Sequence, residues 1–213
     1  MPGLLLHLSF GKKIYEKIGE KYNLDKSDFL SGCLIPDLTV DKKDSHYRVP
    51  ASITKYFVPK MDTVKNELFD LNNSLKLGLY CHLYLDYHFF EHYIFKKYKW
   101  ENGFVTIPFS GITMSEDSFF ERGKGIYGAY GELNHLLIRD EVITNKDLDI
   151  IPELLPNTNI EIFDKRREKT WKRELNEYFI TENEYSGKIL DYKDVVLLLE
   201  NLTDMFINNI KRT

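Results

Sequence analysis

The chain has 213 residues, of which 43% are hydrophobic and 29% charged, with a net charge of −4 and a pI near 5.9. This composition supports a folded core and excludes a disordered chain, and its mild acidity supplies no basic field to draw the protein onto nucleic acid or an anionic membrane. The length suits one domain, read as residues 1–213.

No uncharged apolar run is long enough for a transmembrane helix, and MPGLLLHLSFGKK places its lysines behind a short apolar run. No signal peptide is read, and a soluble, cytoplasmic protein is expected. Cys33 and Cys81, outside any C-x-x-C pair, fit core thiols in a reducing compartment and give no thiolate zinc site.

In chain order, residues 4–21 show a helical apolar period at Leu4, Leu5, Leu8, Tyr15 and Ile18. NLDKSDFLSGCLIPDL then carries a cap-like Asp25 or Ser27 and a helix expected to stop near Pro36, because the residue before proline is pushed out of the α region. Residues 41–50 read as loop, and residues 51–71 as helix on both sides of Pro59. From a capping signal at Asn72, Asn73 or Ser74 a helix continues to about residue 100, apolar around nearly its whole circumference and therefore central and buried. Residues 101–125 lack a clean period and are expected to form a long irregular loop. Helices follow at 126–142, before Pro156, along the charged EIFDKRREKTWKRELNEYF, and at the end with Asp191 as cap. The fold class is all-α.

The central helix raises the chemical question. Its segment GLYCHLYLDYHFFEHY buries His82, Asp86, His88 and His92 among large apolar side chains. On a helix His82 and Asp86, four residues apart, lie about 40° from each other and can reach one ion. His92 lies roughly 9 Å further along the axis and about 120° round, so it suits a neighbouring ion bridged by Asp86. A lone histidine on an apolar helix is ordinarily a hydrogen-bonded core residue, and an aspartate four residues on can be its partner. That reading weakens once His7, in an apolar helical stretch, and His46, soon after Asp37, are counted, because metal coordination is one of few ways to satisfy several buried His and Asp groups together.

The ordered set His7 in LLLHLSFGKK, Asp37 in GCLIPDL, His46 in DSHY, His82 and Asp86 in HLYLD, and His92 six residues on resembles the zinc-dependent phospholipase C family, whose fold is shared by the P1/S1-type nucleases. The resemblance covers residues 4 to about 95 and implies a single helical domain with two or three zinc ions at the base of a cleft. It implies Asp37, His46, His82 and Asp86 around one ion, His7 on a second bridged by Asp86, and His92 on a third. The third set departs from the family pattern, because His135 is followed four residues later by Arg139, leaving Glu132 or Asp140 as substitutes. The resemblance also raises the terminal amine of Pro2 as a ligand.

The implied activity is hydrolysis of a small-molecule or lipid phosphoester, of phospholipase C type, with zinc or another divalent metal and with Asp37 orienting or deprotonating the attacking water. Tyr47, Phe104, Phe109 and Tyr127 are candidates to line the cleft. The alternatives are a non-catalytic metal-binding helical protein and a nuclease-like phosphodiesterase, the latter resting on Trp171 within RREKTWKREL. An HD-type phosphohydrolase is disfavoured because no His-Asp dipeptide occurs.

Overall fold

The computed structural model describes residues 3–121, 123–166, 171–180 and 186–211. Helix α1 (Leu4–Ile18) is buried all round from Leu5 to Gly11 and narrows to Ile14 and Ile18 in its second half. Helix α2 (Lys26–Leu38) is capped by Asp25, whose carboxylate accepts from the Asp28 amide. It continues through Pro36 to Leu38, past the expected stop. Near a helix end a proline removes only one hydrogen bond, and the Pro36 carbonyl gains the Thr39 hydroxyl at 2.8 Å.

The expected loop over 41–50 is partly ordered. It holds a single turn, α3 (Lys42–Ser45), capped by Asp41, and strand β1 (Arg48–Pro50). Strand β2 (Phe57–Pro59) pairs with β1 antiparallel, so the residues before Pro59 form a hairpin and not the helix expected there. Pro50 and Pro59 sit at the ends of this two-stranded ribbon, where a missing ladder donor is tolerated. Helix α4 (Met61–Leu68) follows.

Helix α5 (Ser74–His88) is capped by Asn73, which accepts from the Lys76 amide, and from Leu77 to Asp86 every residue is buried. The helical path runs on as expected, but through a π turn, Phe89–Ile94, before closing with α6 (Phe95–Lys97). The region 101–125, expected to be irregular, instead holds most of a meander of β3 (Lys99–Glu101), β4 (Phe104–Ile107) and β5 (Ile112–Ser115), whose first strand begins where the central helix was expected to end. Its first turn is Asn102-Gly103, both at positive φ (51° and 76°), the backbone that a tight two-residue hairpin requires.

Short helix α7 (Glu116–Phe119) leads to α8 (Gly125–Arg139), α9 (Asn145–Asp149), α10 (Glu161–Asp164), α11 (Trp171–Ile180) and α12 (Tyr192–Lys211). Asp191 caps α12 by accepting from the Asp194 amide at 3.0 Å. The small sheets leave the class mostly helical, with α5 as the central buried helix. Around it, Phe10 of α1 and Phe206 of α12 both meet Tyr84, at ring separations of 6.3 and 5.1 Å.

The closest crossing is between α2 and α5, at Gly32 and Gly78. A Cβ on Gly32 would lie 2.8 Å from the Gly78 Cα and would overlap the Leu75 carbonyl, while one on Gly78 would overlap the Phe29 carbonyl. Both obstacles are backbone, which cannot swing aside. Gly78→Ala is therefore expected to destabilise the fold by about 2 kcal/mol or more, in the upper part of the range for overpacking. Gly131→Ala in α8, whose new Cβ meets nothing within 4 Å, should be neutral or gain up to about 1 kcal/mol from helix propensity. Denaturant unfolding of the two variants beside the parent checks the contrast, and equal stabilities would contradict it.

Candidate metal centre

Three helices and one turn converge on a single polar cluster inside the core. α1 supplies His7, the last turn of α2 supplies Asp37, α3 ends at His46, and α5 supplies His82 and Asp86 one turn apart. His7, His46, His82 and Asp86 are at most 1% exposed, and the Asp37 side chain 9%.

The distances are informative. His7 Nε2 lies 3.4 Å from Asp86 Oδ1 and 3.9 Å from Asp37 Oδ2; His46 Nε2 lies 3.6 Å from Asp86 Oδ2 and 3.7 Å from Asp37 Oδ1; His82 Nε2 lies 3.5 Å from Asp86 Oδ2. These separations exceed the roughly 2.8 Å of a charge-assisted hydrogen bond. They approach the edge of a tetrahedron of ligands about 2.0–2.1 Å from a common zinc ion, which is about 3.3 Å. In keeping with this, His7 Nδ1 and Nε2, His46 Nε2, His82 Nε2 and both Asp86 oxygens have no hydrogen-bond partner among the described residues. Leaving so many buried polar atoms unsatisfied is costly. Two overlapping groups, His7–Asp37–His82 and His46–His82–Asp86, each bring their ligand atoms within 4.8 Å of one another.

The surroundings fix which nitrogens face the centre. His82 Nδ1 lies 2.7 Å from the Cys33 carbonyl. A carbonyl only accepts, so Nδ1 holds the proton and Nε2 presents its lone pair to the cluster. For His46, a chain of short contacts orients the ring: its Nδ1 lies 3.0 Å from Ser45 Oγ, which lies 2.7 Å from Thr39 Oγ1, and Thr39 Oγ1 can donate to the Pro36 carbonyl at 2.8 Å, which leaves Nε2 facing the cluster. Nothing in the sequence marks these supporting groups, because a backbone carbonyl and two small hydroxyls carry no motif.

A family model for zinc-dependent phospholipase C matches residues 6–182. The chain belongs to the zinc-dependent phospholipase C family. No curated protein and no solved structure matches it significantly. Membership supports a metal-dependent phosphoesterase, and the convergent His and Asp groups fit the donor set that such an enzyme needs. Among the described residues no helix is long and apolar enough to cross a membrane.

The remaining residues singled out from the sequence of this phospholipase C relative lie elsewhere. His92 sits on the π turn, its Nδ1 2.9 Å from the Lys96 ammonium and its ring stacked on His88 at 4.8 Å. It is not among the groups of His and Asp that come together around His82 and Asp86. His135 packs edge-on against Tyr178, Glu132 accepts from the amide and hydroxyl of Ser186, and Asp140 pairs with Arg139. Pro2 lies outside the described residues. Trp171 is 1% exposed with its indole N–H donating to the Glu153 carbonyl, so it is a core residue and not a base-stacking platform.

Of the aromatics, Phe104 and Phe109 are exposed on the meander, and Tyr47 donates to Glu67 at 2.8 Å. Tyr127 shares a 3.2 Å hydroxyl contact with Tyr56. Burial raises the Tyr56 pKa, with smaller contributions from Tyr127 and from the Asp86 charge.

Electrostatics prepare the histidines for a cation. Burial, then the neighbouring His82, lowers the His7 pKa, and burial pulls His46 down to about 3 against the attraction of Asp86 and Asp37. Burial opposes the shift at His82, yet Asp86 beside it leaves its pKa raised. Burial also opposes the shifts of the two carboxylates, but His7 and His82 hold Asp86, and Lys42 then His82 hold Asp37, below the usual range.

Chelator-treated protein is therefore expected to lose stability as pH falls from 6.5 toward 3. There the unfolded chain protonates histidines that the fold keeps neutral, and below 3.8 the carboxylates add to the loss. His82 acts oppositely, its contribution fading as pH rises through its raised pKa. Thermal midpoints across this range should fall more steeply in the parent than in His46→Gln, and a flat parent profile would contradict the account.

Proposed function

We propose that this protein is a zinc-dependent hydrolase of phosphoester bonds, acting as a phosphodiesterase of phospholipase C type on a lipid or small-molecule substrate. The observation that carries the reading is the set of buried imidazole and carboxylate atoms facing one another without hydrogen bonds. His7, Asp37, His46, His82 and Asp86 would hold the metal, with Asp86 reaching both groups through its two oxygens. Bound there, zinc or another divalent ion lowers the pKa of water toward neutrality and stabilises charge on phosphoryl oxygens.

The protein's own residues supply position and exclusion. His7 and His46 stay neutral and keep their lone pairs available, and the Cys33 carbonyl and the Ser45–Thr39 contacts hold the rings of His82 and His46 in orientation. Asp37 is the most exposed of the five carboxylate and imidazole groups, so it stands where substrate and water enter. Its depressed pKa makes it a better hydrogen-bond acceptor than a proton store, which suits it to orienting the attacking water.

Asp37→Asn keeps the side-chain size and removes the charge. Its turnover of a chromogenic phosphodiester is expected to fall by roughly 10²-fold or more, in line with loss of a positioned acid–base group. Full activity together with full metal content in the variant would rule out this role. Full metal occupancy in the parent with no phosphoesterase activity would favour a protein that binds metal without catalysis.

A further inference from the structure

The candidate ligands are nearly all sealed from solvent, but one cation touches them from outside. Lys42 Nζ lies 2.8 Å from Asp37 Oδ1, and its side chain is 44% exposed while the Asp37 side chain is 9% exposed. Asp37 Oδ1 in turn faces His46 Nε2 at 3.7 Å. Lys42 thus stands at the rim where the cluster meets solvent. Its backbone is held by the Asp41 cap, which accepts from the Lys43 and Asp44 amides, and by the short path to Ser45 and His46. Lys42 keeps much of its side chain in solvent while paired to Asp37, so its ammonium can meet an anion that arrives at the rim.

We propose that Lys42 is a catalytic residue, whose ammonium binds a non-bridging oxygen of the phosphoryl group and offsets the charge gained during hydrolysis. The inference rests on the proposed phosphodiesterase reading. In that reaction a bond forms between hydroxide and phosphorus, the bond from phosphorus to the leaving oxygen breaks, and the proton ends on the leaving alkoxide. A diester monoanion becomes a monoester dianion. One extra negative charge therefore appears on the phosphoryl oxygens between substrate and product, and a cation fixed beside them stabilises the later state more than the earlier one. Asp37 holds the ammonium at the rim until the phosphoryl oxygen takes its place as partner.

Two anions separate this role from a merely structural one. On zinc-loaded protein at pH 8, inorganic phosphate presents mainly the dianion and dimethyl phosphate the monoanion, and calorimetry measures both. Lys42→Met is expected to weaken phosphate about tenfold or more and dimethyl phosphate about threefold or less, with zinc content unchanged and Lys42→Arg restoring most of the difference. Turnover of bis(p-nitrophenyl) phosphate should fall roughly 10–10²-fold, mostly in kcat, as for loss of one preorganised donor. Equal weakening of both anions, or loss of zinc in Lys42→Met, would overturn the proposal and leave Lys42 as a support for Asp37. A parent protein that retains no zinc would instead remove the hydrolase reading on which the inference rests.

Discussion

The crossing of α2 and α5 without side chains between them is the constraint on which the site depends. Because Gly32 and Gly78 bring the two backbones together, the Cys33 carbonyl reaches His82 Nδ1, and Asp37, one helical turn further along α2, meets the same space as His82 and Asp86. A larger residue at either glycine would separate the helices and lengthen every one of these distances at once. The same crossing explains why α5 is buried around its whole circumference from Leu77 to Asp86: a helix packed this tightly on one side and against Phe10 and Phe206 on another has little surface left for water.

Within that apolar setting the five polar side chains form an unusual balance. Burial alone would drive the carboxylates to take protons, yet His82, whose own pKa is raised, holds Asp86 ionised and the ammonium beside Asp37 does the same there. His7 and His46 are kept neutral by the same burial. What results is concentrated negative charge faced by neutral nitrogen lone pairs, a donor set complementary to a hard or borderline dication and poorly satisfied by anything else. The cluster is therefore a destabilising element in isolation, and a bound ion would convert it into a stabilising one by mass action.

Much of this was legible in the residues. The i, i+4 spacing of His82 and Asp86, the cap at Asn73 and the uninterrupted apolar run announced a buried helix with a polar stripe, and the order of His7, Asp37, His46, His82 and Asp86 matched what the fold assembles. Asn102-Gly103 between Trp100 and Val105 is a strong hairpin signal, masked by the Gly, Ser, Thr and Pro around it, which on composition point to an irregular loop. Nothing local in FFEHYI marks the π turn over Phe89–Ile94. The Cys33 carbonyl, Ser45 and Lys42 could not be found from sequence at all, since their roles arise only when α2, α3 and α5 meet in space.

The central claim is that these five side chains hold a metal ion. Elemental analysis of the purified, tag-free protein beside a His82→Ala, Asp86→Ala double variant tests it most directly, with circular dichroism to show that both remain helical. The account predicts stoichiometric divalent metal, chiefly zinc, in the parent after gel filtration and its loss from the folded variant. A parent that retains no metal, even after zinc is added back, would contradict it and make these histidines core residues whose buried nitrogens lack any compensating partner.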